Sequence, residues 1–229
     1  MKVLAVLLLL LAGLAVLVDR VAVVVAEGQV ALQLADQGGL AGEPDIDIRG
    51  FPFLTQAVGG RYDDVRISLT AEQLGRPEGT EADIALRGVS LPLSSVLSGE
   101  VREVPVDSID GTATLSYELL AGELGGNTTL APEGNGLRIT RTVEILGYSL
   151  PLTAAGTVSV DGDELVIDVE RASGAGVDVP RALVGRAADL LDLRYRLELP
   201  FGLQLTDVTP ASDGVDVRVE ARDAVLTAE

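Results

Sequence analysis

The sequence contains no cysteine and no histidine in 229 residues. Without cysteine the protein can form no disulfide bond, no thiolate nucleophile and no cysteine-ligated metal site. Without histidine it also lacks the usual general base of serine and cysteine hydrolases and the commonest ligand of zinc. We therefore expect no catalytic triad and no metal site of the ordinary kind, and we predict no cofactor.

Basic side chains are also scarce. The chain has 17 lysines and arginines against 35 aspartates and glutamates, a formal net charge of −18. Such a surface repels phosphates, and no basic stripe compensates for it, so we predict no nucleic-acid partner. The average charge also opposes adsorption of the folded body to an anionic membrane. Contact with lipid must therefore be apolar and local, or be enforced by an anchor.

Aromatic residues make up only 3% of the chain, with no tryptophan, three phenylalanines and four tyrosines. The interior must therefore be filled mainly by leucine, valine, isoleucine and alanine. Such a lining suits acyl chains, since lipid pockets are mostly aliphatic with few polar groups. A compositional bias toward small aliphatic residues explains the same observation without any ligand, and composition alone does not separate the two interpretations.

An unbroken apolar run extends from Val3 to Val18, after Lys2 and before Asp19. At about 1.5 Å per helical residue this run reaches about 24 Å, slightly less than the hydrocarbon core of a bilayer. Residues 1–18 are therefore predicted to be a signal peptide or a signal anchor. Lys2 is expected to keep the N-terminus in the cytoplasm, which places residues 19–229 outside as a single domain.

Two main helices are predicted, one near each end of this domain. The first covers residues 19–36 and is stopped by the glycines at 38 and 39. The second covers residues 179–192, where Pro180 fits the first helical turn. The expected buried side of the first helix consists of residues at a spacing of three to four, namely Val21, Val24, Gly28, Ala31, Leu32 and Ala35.

Alternation of apolar and polar residues dominates from residue 45 onward and predicts about eight to ten strands. No strand–helix–strand rhythm is present, which argues against a parallel doubly wound sheet. One apolar face per strand favours a large antiparallel sheet covered on one side. The predicted fold class is therefore α+β, with the two helices on the concave side of a strongly curved sheet. The main predicted strands are 64–70, 82–89, 112–119, 136–145, 157–160, 165–170, 193–199, 203–208 and 215–222. Asp161-Gly162-Asp163 predicts a hairpin between strands 157–160 and 165–170, and Pro200-Phe201-Gly202 is expected to break the alternation after residue 199.

The segment from Gly50 to Tyr62 holds two of the three phenylalanines and one of the four tyrosines. Its glycines and Pro52 predict a special turn between two strands, and not the interior of a regular strand or helix. Large apolar residues on such a turn are either a plug of the core or a ligand contact. Burial statistics alone favour the plug.

Paired carboxylates are the remaining candidates for catalysis. A glycosidase needs two of them across a cleft, about 5–9 Å apart. Most of the acidic pairs flank turns or fall on solvent faces of predicted strands, so we predict no catalytic residue and no enzyme. An acid-dependent hydrolase that uses two carboxylates stays as an alternative. The pairs are Asp45/Asp47, Asp63/Asp64, Asp161/Asp163 and Asp216/Glu220.

Three stretches together resemble the LmeA-like phospholipid-binding family of actinobacterial cell envelopes. They are Asp19-Arg20-Val21 at the start of a helix, Pro44 to Gln56 with the core Gly-Phe-Pro-Phe-Leu-Thr-Gln, and Gly59 to Val65. The C-terminal part, from Leu199-Pro200-Phe201-Gly202-Leu203 to Asp213-Gly214-Val215, is also similar. The resemblance covers the chain from about residue 19 to its end.

This resemblance implies a non-enzymatic, exported or anchored envelope protein that binds phospholipids at the extracytoplasmic face of the cytoplasmic membrane. It also implies a curved sheet wrapped on long helices, as in tubular lipid-binding modules. The best-studied member of the family is associated with mannan elongation on lipid-linked glycans. The alternative is a structural or scaffolding envelope protein that recruits a glycosyltransferase or another partner without a lipid cavity.

On this interpretation, acyl chains lie in an aliphatic groove between the sheet and the two helices. Arg49 and Arg61 flank the aromatic turn and are the candidates for a phosphate headgroup, since arginine forks suit phosphate oxygens. For both arginines, a solvated position at a strand end is the favoured interpretation. The predicted wall residues come from the aromatic turn and from the second helix, and they are Phe51, Phe53, Leu54, Leu183, Leu190 and Leu191.

Overall fold

The computed structural model describes residues 2–92, 95, 103–125, 127–145, 148–161, 164–174, 177–178, 194–196 and 199–227. In these ranges the fold is α+β, as predicted, with long antiparallel strand pairs and a few helices. The predicted second helix, at residues 179–192, lies outside the described residues. Its three candidate lipid contacts, Leu183, Leu190 and Leu191, lie there too.

The N-terminal helix α1 runs without a break over Lys2–Gly38. The apolar run and the predicted helix at residues 19–36 are therefore parts of one element. The helix ends where Gly39 takes a positive φ of 60°, a conformation that glycine adopts at helix C-termini without steric cost. By length and composition α1 is able to cross a membrane, a test that a signal sequence near the N-terminus passes as well.

The predicted buried side of α1 was wrong in part. Val21, Val24 and Leu32 are exposed, whereas Val23 and Ala31 are buried. The helix packs against strand β1 (Asp45–Arg49) and helix α2 (Phe53–Gly59) through the side that carries Val23 and Ala31. The helix is oriented differently from the prediction because Asp19 and Glu27 on that side accept hydrogen bonds from these neighbours. A search for periodic apolar residues does not detect such bonds.

The described strands form two sheets of six strands, where one large sheet was predicted. The first sheet has the order β1-β2-β3-β4-β12-β11, with β1 at one edge. Its strands are β1 (Asp45–Arg49), β2 (Arg61–Leu69), β3 (Glu81–Ser90), β4 (Glu103–Ser116), β11 (Gln204–Pro210) and β12 (Gly214–Thr227). Strand β1 pairs antiparallel with β2, and β11 pairs antiparallel with β12.

The second sheet has the order β10-β8-β7-β6-β5, and β9 also pairs with β8. Its strands are β5 (Thr128–Glu133), β6 (Gly136–Ile145), β7 (Tyr148–Asp161), β8 (Glu164–Gly174), β9 (Val177–Asp178) and β10 (Arg194–Arg196). The pairing of Asp161 with Glu164 confirms the hairpin predicted around Asp-Gly. Glu133 and Gly136 close a second tight hairpin, with Gly134 at a φ of 62°.

Two short helices replace predicted non-helical structure. Helix α2 (Phe53–Gly59) occupies the segment predicted as an irregular turn. Helix α4 (Tyr117–Leu124) takes the end of the strand predicted at residues 112–119, because the Ser116 hydroxyl accepts a hydrogen bond from the Leu119 N–H, at 3.2 Å, and caps it. Helix α3 (Ala71–Leu74) follows β2, and a 3-10 helix (Pro200–Gly202) marks the predicted break before β11.

The chain divides into two compact units. The first contains Met1–Leu69, Asp83–Asp110 and Ala221–Glu229, and the second contains residues 70–82 and 111–220. In the first unit the buried side chains include Ile48, Phe53 and Val106. The core of the second unit is a cluster of Leu137, Leu205, Val208, Val215 and Val217. Both cores are thus predominantly aliphatic, as the composition predicted.

A carboxylate with two arginine partners ties strands of the second sheet together. Glu133 on β5 accepts hydrogen bonds from Arg138 on β6, at 2.7 Å, and from Arg171 on β8, at 2.8 Å. The hydrogen bond from Arg138 holds the pKa of Glu133 below its usual value of 4.5, against the effect of desolvation. A carboxylate with a lowered folded-state pKa stabilises the fold above its unfolded pKa, and this contribution is lost as the pH falls through the folded value.

We therefore expect Glu133→Gln to destabilise the protein near neutral pH and to reduce the loss of stability that the wild type shows as the pH falls below about 4.5. Urea unfolding in mild detergent at a series of pH values, followed by circular dichroism, measures both effects. Glu123→Gln, at an exposed position of α4, is the matched control. Parallel pH profiles for the wild type and Glu133→Gln would contradict the assignment.

Candidate functional site

The segment with the strongest family resemblance folds into a turn and a helix that lie against α1. Gly50, Phe51 and Pro52 form the turn after β1, and α2 follows and leads into β2. Helix α2 contacts both α1 and β2. The turn, α2 and the facing side of α1 are called the α1–α2 site below.

A buried carboxylate connects the two helices of the site. Asp19 is only 2% exposed. Its Oδ1 accepts a hydrogen bond from the Leu54 N–H, at 2.9 Å, and its Oδ2 pairs with Arg20 Nη2 at 2.6 Å. A buried charge needs such partners, and a negative charge at a helix N-terminus is favourable. The first charged residue after the apolar run therefore fixes α2 onto α1.

A second carboxylate on α1 holds the edge of the first sheet. Glu27 Oε1 accepts a hydrogen bond from the Ile48 N–H of β1, at 2.9 Å. Because β1 is an edge strand, its outward N–H groups have no neighbouring strand as a partner. Asp19 and Glu27 are eight residues apart, which places them near one side of the helix. Together they orient α1 against both β1 and α2.

The side chain of Gln56 closes the turn before α2. Its Nε2 donates to the Arg49 carbonyl at 3.2 Å, and its Oε1 accepts from the Asp63 N–H at 3.0 Å. The amide thus joins the end of β1 to the start of β2. Gly50 has a φ of 110°, and a Cβ atom there would collide with the Gln56 amide. The glycine and glutamine of the resembling motif are therefore required together by geometry.

The two phenylalanines of the motif have opposite environments. Phe53 is 5% exposed and packs on Tyr62, with ring centroids 6.2 Å apart. Ala57, one helical turn later, is also buried. Burial raises the pKa of the Tyr62 hydroxyl. Phe53 is therefore part of the core of the first unit, and its predicted role as a lipid contact stays a prediction.

Three apolar side chains of the site face outward. Phe51 is 64% exposed, Leu54 38% and Val58 79%. The Arg20 guanidinium lies over the Phe51 ring, 5.3 Å from its centroid, in cation–π geometry. Leu54 and Val58 are four residues apart and so share one side of α2. We call Phe51, Leu54 and Val58 the apolar α2 face.

The two arginines predicted for a headgroup each have a carboxylate partner. Arg49 Nε lies 2.6 Å from Asp47 Oδ2, and this hydrogen bond raises the pKa of Arg49 above its usual value. Arg61 pairs with Asp107. All four side chains are about half exposed. The structure thus places both arginines at strand ends near solvent, and a lipid phosphate would have to share them with these carboxylates.

Several of the acidic residues considered for catalysis have local partners. Asp64 lies 3.5 Å from Arg66, and Asp216 accepts a hydrogen bond from the Thr114 hydroxyl at 2.8 Å. Among the residues that the structure describes, no group of three or more acidic side chains could hold a metal ion.

Sequence reasoning missed three residues that position the site: Asp19, Glu27 and Gln56. One signal was available, since Asp19 is the first charge after the apolar run and also belongs to the resembling motif. Gln56 likewise ends the resembling motif. Glu27 had no comparable signal, because its partner is a backbone group 21 residues away in sequence.

The paired glycines at the end of α2 give a matched test of this local geometry. Gly60 has a φ of 65°, and a Cβ atom there would lie 2.9 Å from Pro92 Cα, whereas a Cβ at Gly59 would meet nothing within 4 Å. Gly60→Ala is expected to destabilise the protein by about 1–3 kcal/mol. Gly59→Ala is expected to be neutral or to stabilise it by up to about 1 kcal/mol. Equal effects of the two changes on urea unfolding would argue against the geometry of this turn.

The two phenylalanines provide a second matched pair. Phe53→Ala removes a buried ring and is expected to lower the free energy of unfolding by about 3–5 kcal/mol. Phe51→Ala removes an exposed ring and its contact with Arg20, so a cost below about 1 kcal/mol is expected. Urea unfolding followed by tyrosine fluorescence measures both, since the chain has no tryptophan. A larger cost at Phe51 than at Phe53 would contradict the described burial.

Comparison with known proteins places this site within a recognised family. A family model described as LmeA-like phospholipid-binding matches residues 17–220, which include Asp19, the aromatic turn and α2. No curated protein and no solved structure matches the chain. Because the family model covers most of the chain, the protein belongs to the LmeA-like phospholipid-binding family.

Proposed function

We propose that this protein is a non-enzymatic phospholipid-binding protein of the cell envelope, which holds acyl chains in an aliphatic groove. The observation that carries the proposal is the family match over residues 17–220. The predominantly aliphatic cores and the long apolar N-terminal helix agree with it. The tubular lipid-binding architecture and a supporting role in lipoglycan (mannan) assembly belong to the same proposal.

The apolar run acts in this proposal as a retained anchor. Its side chains are exposed along the N-terminal part of α1, and exposed apolar area costs about 25 cal/mol per Å² in water. Val24-Val25-Ala26 is a small-residue pattern at which a signal peptidase could cut, and cleavage there would separate Asp19 from the body. The buried bond between Asp19 and the Leu54 N–H would then be lost. A retained apolar run would hold the folded body beside the membrane. The positive charge of Lys2 favours a cytoplasmic N-terminus, which would put the body on the extracytoplasmic face.

The proposed groove is lined by the residues predicted from the sequence. Leu54 and Phe51 belong to it with their exposed surfaces, and Phe53 supports them from the core. Leu183, Leu190 and Leu191 complete the lining in the proposal. Arg49 and Arg61 would meet the phosphate by sharing their guanidinium donors between it and the neighbouring carboxylates.

The test is native mass spectrometry of the full chain purified in mild detergent. A phospholipid is expected to remain bound at a fixed ratio after delipidating washes. An unrelated protein with a single membrane-spanning helix, purified in the same way, controls for lipid that surrounds the anchor. Equal lipid retention by the two proteins would remove the support for a groove and favour the scaffolding alternative.

The role of Phe53 is tested by uptake of a fluorescent phospholipid. If Phe53 supports the groove wall, Phe53→Ala is expected to reduce uptake together with stability, whereas Val225→Ala, at an exposed position of β12, keeps both. Uptake is measured at a temperature where circular dichroism shows that both variants are folded. Lower stability with unchanged uptake would make Phe53 a core plug alone.

A further inference from the structure

We propose that the apolar α2 face is a membrane-docking surface, whose side chains enter the lipid–water interface beside the anchor. The proposal rests on insertion of the apolar run, which is part of the proposed function. It adds a second contact with the bilayer, made by three named side chains. This contact defines where the α1–α2 site lies relative to the membrane.

The length of the apolar run sets the depth of this site. Residues 3–18 reach about 24 Å as a helix, whereas the hydrocarbon core is about 30 Å thick. About four more residues must therefore reach the boundary of the core, and α1 continues through them as an unbroken helix. These four residues are residues 19–22, which include Asp19, Arg20 and the exposed Val21. The bilayer boundary thus falls at the level where α2 is attached.

Asp19 holds the start of α2 at the same depth in the membrane. Its carboxylate is covered and bonded to the Leu54 N–H, so the N-terminal end of α2 is held at the same level of α1. The charge of Asp19 does not oppose this position, because it is buried and paired with Arg20. The turn with Phe51 therefore lies next to the lipid headgroups.

The chemistry of the segment fits an interface. Residues 50–60 contain no charged side chain, in a chain of which 23% is charged. Phe51 and Val58 are largely exposed, and Leu54 lies between them in sequence with a partly exposed side chain. Beyond the apolar run, Val21, Val24 and Val25 of α1 are exposed as well. The exposed apolar surface of α1 therefore continues past the level at which Asp19 holds α2.

Arg20 supplies the polar component at the same level. Its guanidinium lies over the Phe51 ring and pairs with Asp19, and its side chain is half exposed. An arginine in this position keeps its charged end among headgroups while its stem covers apolar surface. A phenylalanine beside it is typical of the apolar side of segments that lie in a membrane interface. Continuity with the anchor makes the bilayer the occupant of this face, in preference to a second copy or another protein.

The absence of tryptophan makes the proposal directly testable. Phe51→Trp and Val58→Trp each introduce a single tryptophan into the full chain. The variants are reconstituted into phosphatidylcholine vesicles with or without brominated acyl chains. We expect brominated lipid to reduce the tryptophan fluorescence at both positions, with shallow bromines more effective than deep ones. Circular dichroism confirms that the variants are folded.

Two control variants calibrate the result. Leu10→Trp, in the apolar run, is expected to be quenched most by deep bromines. Gln37→Trp, at the exposed C-terminal end of α1 and about 27 Å beyond Asp19 along the helix, is expected to keep its fluorescence. Quenching at position 10 without quenching at positions 51 and 58 overturns the docking surface. So does the absence of quenching at all positions, because the anchor would then not be inserted. A blue shift at 51 and 58 without quenching overturns it in favour of a protein partner.

A last measurement separates docking from lipid held as a ligand. One equivalent of brominated phosphatidylcholine is added to each variant in detergent micelles, where no bilayer is present. The comparison is made at position 58, because Phe51 also belongs to the proposed groove. Little quenching at position 58 in micelles, with strong quenching in vesicles, supports docking. Equal quenching at position 58 in both would assign Val58 to a bound ligand and overturn docking. Loss of bound lipid in mass spectrometry with quenching retained would refute the proposed function alone.

Discussion

The buried carboxylate of Asp19 is the interaction on which the arrangement of the first unit depends. It lies at the junction between an apolar run and a folded body, and it satisfies the N-terminal end of α2. Without a partner, this carboxylate would carry the full cost of burying a charge. With the Leu54 N–H and Arg20 as partners, it makes the attachment of α2 to α1 specific. The adjacent bond from Glu27 to β1 extends this specificity to the edge of the first sheet.

This attachment reconciles a strongly acidic chain with a lipid-related family. A net charge of −18 keeps the body away from anionic surfaces at long range. Apolar contact acts only at short range and does not depend on that charge. In the proposed docking, a charge-free segment beside an apolar helix meets both conditions, because the anchor would supply proximity and the segment would supply contact. The arginines that flank the segment are paired with carboxylates and so add little net charge to it.

Some of the fold could be predicted because its signals are local. The hairpin around Asp-Gly, the end of α1 at the glycines and the break at Pro200 follow from backbone preferences of a few residues, and all three are found. The prediction of a strand at residues 112–119 was wrong at its C-terminal end, because Ser116 caps a helix that begins inside the alternating pattern. The prediction of the buried side of α1 was wrong for a different reason. Its orientation is decided by Asp19 and Glu27, whose backbone partners are far away in sequence.

The sequence by itself determined which kinds of site this protein lacks the residues to form, and which family its motif resembles. Missing cysteine and histidine, the acidic balance, the apolar run and the motif from Gly50 to Gln56 are properties of composition and order, and they needed no coordinates. Only the tertiary structure decided which residues of this region are buried and which are exposed. Phe53 is buried in the core, Phe51 and Val58 are exposed, and both flanking arginines have carboxylate partners. The physical reason is that burial and pairing depend on which elements meet in space, and α1, α2 and β1 meet through polar bonds that hydrophobic periodicity does not encode.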